Sequence, residues 1–207
     1  MADFSLSLES ELRVSVAAFV LGLAAATGCQ RSQPAGTSEV QPTYNRDTGR
    51  LERISYDRNR DTRMDAWLVM DGTRVVRAEL DENFDGAVDR WEYYGNQAVP
   101  AAAGSGDGLV PRSALLRAEQ ATRGDGKVNR RESYENGQLA SVDEDTNGDG
   151  QTDKWETWSG GALKVMALDT KGTGKPDRRL VYPADGSSPR LEVDRDGSGT
   201  FVPASGS

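Results

Sequence analysis

Residues 145–161 read DTNGDGQTDKWETWSGG and contain the pattern that decides the fold. A loop of Asp, Asn and Gly comes first, a strand-forming stretch rich in Trp and Thr follows, and a Gly-Gly turn ends the unit. A second strand then leads to the next loop. Because short strands joined by tight glycine turns favour hairpins, the sequence predicts an all-β fold: an antiparallel meander of β-hairpin repeats with the loops along one edge.

The same unit recurs along the chain. Loops at Asp57 and Asp81, and again at Asp145 and Asp169, start 24 residues apart, so the repeat is about 24 residues long. All the loop starts, in chain order, are Asp57, Asp81, Ala121, Asp145, Asp169 and Asp194. These repeats predict roughly ten or eleven strands, in a single twisted sheet or in one that curls towards a barrel.

One repeat carries an insertion. Asp81 and Ala121 are 40 residues apart, 16 more than one period. We assign the added residues to 97–112, QAVPAAAGSGDGLVPR, lodged in a glycine turn expected at 95–96. Their Gly, Ala and Pro content predicts a loop that a protease cuts first. The other glycine turns are predicted at 47–49, 71–72, 136–137, 160–161 and 185–186.

The composition excludes several kinds of active site. The chain has no His, one Cys and a formal net charge of −8. A Ser-His-Asp or Cys-His catalytic pair and a His-ligated metal site cannot be built from these residues. The negative charge argues against nucleic acid as a partner. Since the acidic residues fall at repeated loop positions instead of forming one unique cluster, we expect no enzymatic activity.

The N-terminal region resembles the signal segment of bacterial lipoproteins. Residues 14–28, VSVAAFVLGLAAATG, are apolar or small and end directly before Cys29. This stretch is shorter than the ~20 residues that a membrane-spanning helix needs. The resemblance implies lipidation of Cys29 and anchoring to a membrane of the bacterial cell envelope, in the outer membrane or facing the periplasm. A plain secretory signal or a buried apolar helix is the alternative.

The domain boundaries follow from these segments. We assign residues 1–28 to the signal peptide, 29–43 to a flexible tether, 44–203 to the repeat domain and 204–207 to a tail. The tether assignment depends on residues 30–43, QRSQPAGTSEVQPT, whose polar and Pro-containing composition is typical of a linker.

Two loops carry a complete set of oxygen ligands. Counted from the first loop residue, positions 1, 3, 5, 9 and 12 of one loop are Asp81, Asn83, Asp85, Asp89 and Glu92. The same positions of the other are Asp145, Asn147, Asp149, Asp153 and Glu156. Position 6 is glycine in both, and the backbone carbonyls of Ala87 and Gln151 stand at position 7. This spacing resembles the EF-hand loop, which implies calcium as the cofactor.

Strands are predicted on both sides of these loops, where a true EF-hand has helices. The pattern is therefore also similar to the loops of integrin-type bacterial β repeats and of thrombospondin type 3 repeats. In strand-flanked loops of this kind position 9 is a ligand, and the position-12 residues Glu92 and Glu156 are then solvated strand residues. A second alternative is that the loops are Asp/Asn/Gly turns without metal.

The remaining loops are less complete. The first keeps four ligand types, namely Asp57, Asn59, Asp61 and Asp65, and it is included among the candidate calcium loops. Thr62 replaces glycine there. In the loops at Ala121 and Asp169, Arg123 and Lys171 stand at position 3, so both loops are expected to be metal-free turns whose cation neutralises neighbouring acids.

Aromatic residues recur in the first strand of the unit. Trp67, Trp91 and Trp155 share one position, and Tyr94, Tyr134, Trp158 and Tyr182 share another three residues later. We expect these rings to pack between neighbouring repeats, with a carbohydrate-binding strip as the alternative. The sequence as a whole predicts a calcium-binding envelope lipoprotein with a structural or binding role. The alternative is a carbohydrate- or peptide-binding module, and the protein or glycan partner is unknown.

Overall fold

The described part of the chain forms one antiparallel β-sheet. The computed structural model describes residues 40–100 and 109–204, where thirteen strands pair in the order of the sequence. The predicted antiparallel meander is confirmed, with thirteen strands in place of ten or eleven. The strands are β1 (Val40–Tyr44), β2 (Leu51–Tyr56), β3 (Ala66–Asp71), β4 (Arg74–Leu80), β5 (Arg90–Pro100), β6 (Leu109–Gln120), β7 (Arg130–Glu135), β8 (Gln138–Glu144), β9 (Lys154–Ser159), β10 (Ala162–Leu168), β11 (Arg178–Val181), β12 (Arg190–Val193) and β13 (Val202–Pro203).

The sheet belongs to the second of two units into which the chain divides, Met1–Gly36 and Thr37–Ser207. The predicted signal peptide and Cys29 lie outside the described residues. Within the ranges that the structure describes, no helix is long and apolar enough to cross a membrane.

The sheet begins before the predicted start of the repeat domain at residue 44 and ends at the predicted boundary, residue 203. Val40 pairs with Tyr56 and Thr43 with Arg53, so the first strand begins inside the segment assigned to the tether. The boundary was placed too late because the polar composition of residues 40–43 is typical of a linker. These residues form a strand because they pair with β2. At the other end, the Asp194 loop is followed by the two-residue strand β13, which pairs with β12.

The turns opposite the loops have the predicted glycine chemistry. Asn136 and Gly137 have φ angles of 51° and 75°, and Gly160 and Gly161 have 59° and 75°. Positive φ at two consecutive residues is the pattern of type I′ turns, whose twist matches that of the flanking strands. These local turns therefore set the register of the β7–β8 and β9–β10 hairpins.

The insertion lengthens one hairpin. Gly95 and Asn96 pair with Ala114 and Ser113 inside the β5–β6 hairpin, and pairing continues as far as Pro100 and Leu109. The predicted turn at 95–96 was therefore wrong. The added residues extend both strands in register as far as Pro100 and Leu109. Residues 101–108, the middle of the predicted protease-sensitive loop, lie outside the described ranges.

One face of the sheet changes character along the array. In β3 and β4 the buried side chains on this face are apolar: Ala66, Leu68, Met70, Val75, Ala78 and Leu80. In register with Leu68 and Ala78, the next strands place Glu92, Ala118, Glu132, Val142 and Glu156 in one row. A carboxylate thus alternates with a small or apolar residue from β5 to β9. We call Glu92, Glu132 and Glu156 the glutamate row.

Candidate functional site: the Asp/Asn/Gly loops

The six loops share one backbone conformation. Position 4 has φ between 63° and 89°, and position 6 has φ between 71° and 96°. The position-4 residues are Arg60, Phe84, Gly124, Gly148, Gly172 and Gly197, and the position-6 residues are Thr62, Gly86, Gly126, Gly150, Gly174 and Gly199. Sequence reasoning identified the glycine at position 6 but missed the left-handed residue at position 4. The recurrence of glycine there in four loops was the available signal.

Thr62 occupies a conformation that costs a β-branched residue free energy. Its φ is 78°, in the region where L-residues lose about 1–2 kcal/mol relative to the right-handed region. We expect Thr62→Gly to raise the free energy of unfolding by about 1 kcal/mol, after the larger unfolded-state entropy of glycine is subtracted. Urea unfolding measures this change. Thr73→Gly, at an exposed turn residue without positive φ, should lower the free energy of unfolding instead. Equal losses of stability in both variants would contradict the idea that Thr62 is strained.

The carboxylate at position 1 holds each loop closed. In five loops it accepts the backbone N–H of position 6 at 2.6–2.9 Å. The donor and acceptor pairs are Thr62 to Asp57, Gly86 to Asp81, Gly150 to Asp145, Gly174 to Asp169 and Gly199 to Asp194. Ala121 has no side-chain acceptor, and its carbonyl accepts from the Gly124 N–H at 3.3 Å. Asp at position 1 therefore organises the loop whether or not a metal binds.

Positions 3 and 5 form consecutive side-chain turns. Asn83 Oδ1 accepts the Asp85 N–H at 2.9 Å, and Asp85 Oδ1 accepts the Ala87 N–H at 2.8 Å. The Asp145 loop repeats both bonds at 2.8 Å, from Asp149 to Asn147 and from Gln151 to Asp149. The Asp57 loop repeats them at 2.9 and 2.8 Å, from Asp61 to Asn59 and from Arg63 to Asp61. These turns hold the candidate ligand residues in one backbone arrangement.

Position 9 joins each loop to its neighbours. The Asp89 carboxylate accepts the N–H groups of Glu82 and Asn83 at 3.0 and 3.2 Å. Its backbone N–H donates to Leu80, and its carbonyl accepts from Ala121, the first residue of the next loop, both at 2.8 Å. The position-9 residues of the other loops that lead to a following repeat, Asp65, Asn129, Asp153 and Asp177, make the same backbone connections. The loops therefore continue the hydrogen-bonded ladder of the sheet.

The donor set of the two complete loops suits a hard cation. Side chains at positions 1, 3, 5 and 9 offer carboxylate or amide oxygen, the atom type that calcium prefers. A carboxylate oxygen that accepts one N–H keeps a further lone pair for a cation. In residues 40–100 and 109–204, no group of three or more acidic side chains is already gathered as a metal cluster. Binding of a cation would therefore require the loop carboxylates to draw together.

The position-12 residues lie in the glutamate row and bind other side chains. Glu92 accepts from Arg90 Nε at 2.8 Å and from the Tyr94 hydroxyl. Glu156 contacts Lys154 Nζ at 2.8 Å and accepts from Trp158 Nε1 at 3.0 Å. This placement favours the alternative in which both glutamates are strand residues. They are nevertheless buried, not solvated, at 8% and 7% exposure.

Glu132 is the centre of the row. Its side chain is 1% exposed and pairs with Arg90 Nη2 at 3.1 Å and with Arg130 Nε at 3.1 Å. The Tyr134 hydroxyl donates to it at 2.7 Å. Arg90 lies on β5 and Glu132 on β7. Ala118 of β6 is in register with Glu132 and with Glu92, two residues after Arg90. Ala118 is fully buried, and a large side chain in its place would obstruct the ion pair between Arg90 and Glu132.

The glutamate row has a sequence signature that sequence reasoning missed. A basic residue, Glu and an aromatic residue occur two positions apart in β5, β7 and β9, in the stretches RWEYY, RRESY and KWETW. A spacing of two places all three side chains on the same face of a strand. The first repeat has AWLVM at this place, with apolar residues at the same three positions.

Burial and ion pairing act in opposite directions on the pKa values in the row. Burial alone would raise the pKa of Glu132, but the Tyr134 hydroxyl and the guanidinium groups of Arg90 and Arg130 hold it below 4.5. For Glu156, the effect of burial is likewise outweighed by Lys154 and Trp158, so that its pKa is also lowered. Both glutamates are therefore ionised in the folded protein at neutral pH.

Acid should destabilise the sheet through these glutamates. Because their folded-state pKa values are lowered, the stabilisation is complete above the ordinary pKa of 4.5 and is lost as the pH falls through the folded value. We expect the free energy of unfolding, from urea titrations, to fall between about pH 5 and pH 2. Glu156→Gln should make the fall shallower, whereas Glu52→Gln, at an exposed residue, should not. The same slope in Glu156→Gln and the wild type would contradict this prediction.

Cations contact acids in the two incomplete loops, as predicted. Arg123 Nη2 lies 3.2 Å from Asp145 Oδ1, and Lys171 Nζ lies 3.8 Å from Asp177 Oδ2. Desolvation would raise the pKa of Asp145, but N–H bonds from Gly148 and Gly150, together with the Arg123 charge, lower it. Arg123 thus reaches from one loop to the first candidate ligand residue of the next.

Comparison with known proteins assigns no family to this fold: no family model matches the chain, and neither a curated protein nor a solved structure matches it. Function must therefore be inferred from the loops and the sheet themselves. Among these, the repeated loops carry the most specific chemistry.

Proposed function

We propose that the protein is a calcium-binding lipoprotein of the bacterial cell envelope, with a structural or binding role and no catalytic one. One observation carries this proposal. The Asp81 and Asp145 loops combine a full set of oxygen ligand residues with the backbone conformation common to all six loops. Their ligand residues therefore stand on a backbone that is already organised before calcium binds, which lowers the entropy cost of binding.

Calcium is the cation that suits these loops best. Positions 1, 3, 5 and 9 supply side-chain oxygens, position 7 supplies a carbonyl, and water completes a coordination number of about six to eight. Glu92 and Glu156 bind Arg90 and Lys154 within the glutamate row, so we do not include them among the proposed ligands. The Asp57 loop is a weaker third candidate. Sites that lack a bidentate position-12 ligand suit an extracytoplasmic setting, where calcium-binding modules work at about 10⁻⁴–10⁻³ M.

The proposed anchor is a lipid on Cys29. The apolar segment before Cys29 supports export, and the sheet that follows would then face the periplasm or the outside of the cell. Cys29→Ser should shift the protein from the membrane fraction to the soluble fraction. A variant that is processed and membrane-bound like the wild type would overturn the anchor while leaving the calcium proposal intact.

Direct titration tests calcium binding. Isothermal titration of the purified full-length chain with calcium chloride should show about two sites with Kd between micromolar and millimolar, and magnesium at the same concentration should compete weakly. Asp81→Ala and Asp145→Ala should each remove one site. Absence of binding at 10-fold the upper Kd, about 10 mM, would overturn the proposal.

A second candidate function is glycan binding by the opposite face of the sheet. Trp67, Glu79 and Trp91 are in register across β3, β4 and β5, so two indole rings flank a carboxylate. Strands two apart are about 9.6 Å from each other, which is compatible with rings that stack on successive sugars. A glycan array with the wild type and with Trp91→Ala tests this candidate, and no binding by the wild type would remove it.

A further inference from the structure

Arg123 is a cation at a loop position where the Asp57 loop has the neutral residue Asn59. It stands at position 3 of the Ala121 loop and lines a cleft together with Asp145, Asp149 and Gly150 of the next loop. Its guanidinium Nη2 donates to the Asp145 carbonyl at 2.5 Å and lies 3.2 Å from Asp145 Oδ1. The side chain is 31% exposed, so the ion pair is partly shielded from solvent.

The absence of a side chain at position 4 of the Asp145 loop leaves room for this guanidinium. A Cβ atom added to Gly148, position 4 of the Asp145 loop, would lie 2.1 Å from Arg123 Nη1. The same position of the Asp81 loop is Phe84, a large side chain. Asp145 Oδ1 also accepts the Gly148 N–H at 2.6 Å. The guanidinium and this N–H therefore share the oxygen that a cation in the loop would use.

The Asp81 loop offers a matched comparison. Its preceding loop has Asn59 at position 3, and Asn59 lines a cleft with Asp81 and Gly86 as Arg123 does with Asp145 and Gly150. The two loop pairs have the same connection, since Asp81 N–H donates to Asp65 and Asp145 N–H donates to Asn129, each at 2.8 Å. At position 3 the two places differ in charge, with a neutral amide beside Asp81 and a guanidinium beside Asp145. They also differ at position 9, Asp65 against Asn129, and at position 4 of the following loop, Phe84 against Gly148.

We propose that Arg123 is a built-in competitor for calcium, which gives the Asp145 loop a lower calcium affinity than the Asp81 loop. This inference rests on the proposed calcium binding. Calcium can enter the Asp145 loop only if the guanidinium moves away from Oδ1 or stays close to a second positive charge, and an arginine does not relieve this by losing its proton. The chain then responds to calcium in two steps, the Asp81 loop first.

The experiment isolates each loop in the full-length chain. In a background that carries Asp61→Ala and Asp85→Ala only the Asp145 loop keeps its candidate ligands, and Arg123→Asn should lower its calcium Kd roughly tenfold, while Arg123→Lys should lower it less. In a background that carries Asp61→Ala and Asp149→Ala only the Asp81 loop keeps its candidate ligands, and Asn59→Arg should raise its Kd by a similar factor. Isothermal titration measures each Kd. Raising the salt to about 1 M should shrink both effects, because the competing charge is partly exposed.

The outcomes separate this inference from the proposed function. If neither background binds calcium, the calcium proposal itself fails. If both bind but Arg123→Asn and Asn59→Arg leave their Kd values unchanged, Arg123 is not a competitor and the inference is overturned. Circular dichroism checks that each variant folds, and should Arg123→Asn fail to fold, the Asn59→Arg arm still decides the question.

Discussion

Replacing Asp85 and Asp149 together by alanine is expected to abolish most of the calcium-induced rise in melting temperature. Each occupied loop adds about 2.7 kcal/mol of stability at a hundredfold excess of calcium over Kd, so two loops add about 5 kcal/mol. For a domain of this size 1 kcal/mol corresponds to about 2–4 °C, which gives a rise of about 10–20 °C in the wild type. Thermal unfolding followed by circular dichroism, with and without calcium, measures it.

The structure explains why this pair of residues is informative. Asp85 and Asp149 each accept one backbone N–H through the carboxylate, from Ala87 and Gln151, and Asp85 also accepts the side-chain amide of Asn83 at 3.1 Å. Their removal therefore disturbs the metal-free loop less than removal of position 1, which closes the loop. Thr173→Ala, at position 5 of the Asp169 loop, is the matched control and should leave the calcium effect unchanged. A full rise in the double variant, or none in the wild type with calcium in excess, would show that the loops are turns without metal.

Glu132→Leu is expected to cost about 3–5 kcal/mol of folding free energy, because it removes one of the two carboxylates that neutralise the buried Arg90 and one of the two that neutralise Arg130. Arg90 is 7% exposed on its side chain and would keep only Glu92, while Arg130 would keep only Glu144. Urea unfolding measures the loss. Asp71→Ala, which breaks an exposed ion pair with Arg74, is the control and should cost less than about 1 kcal/mol.

The first repeat supplies a second comparison for the glutamate row. Its residues Ala66, Leu68 and Met70 occupy the positions that Arg130, Glu132 and Tyr134 occupy in β7. The triple variant Arg130→Ala, Glu132→Leu, Tyr134→Met removes Glu132 together with one of its two arginine partners, so it should lose less stability than Glu132→Leu alone. A greater loss in the triple variant would mean that packing of the Tyr134 ring, and not charge balance, governs this face.

Local chemistry made much of the fold predictable. Left-handed turn residues such as Gly137 and Gly161, and the side-chain bonds of the loops, link residues seven or fewer positions apart, so their signals survive in short stretches of sequence. The repeat period then places the hairpins in a meander. The left-handed conformation at position 4 was not predicted because Arg60 and Phe84, which occupy this position in two loops, are not residue types that indicate it.

Sequence alone determined the all-β class, the repeat and the loops with their candidate ligand residues, because each depends on neighbours along the chain. Only the tertiary structure decided that Glu92 and Glu156 sit in a buried row, that Arg90 reaches Glu132 across 42 residues, and that Arg123 reaches Asp145 across 22. These contacts depend on which side chains the strand register brings onto one face and on which small residues, Ala118 and Gly148, leave room between them. No local pattern encodes that juxtaposition, because it arises only when separate hairpins stand side by side.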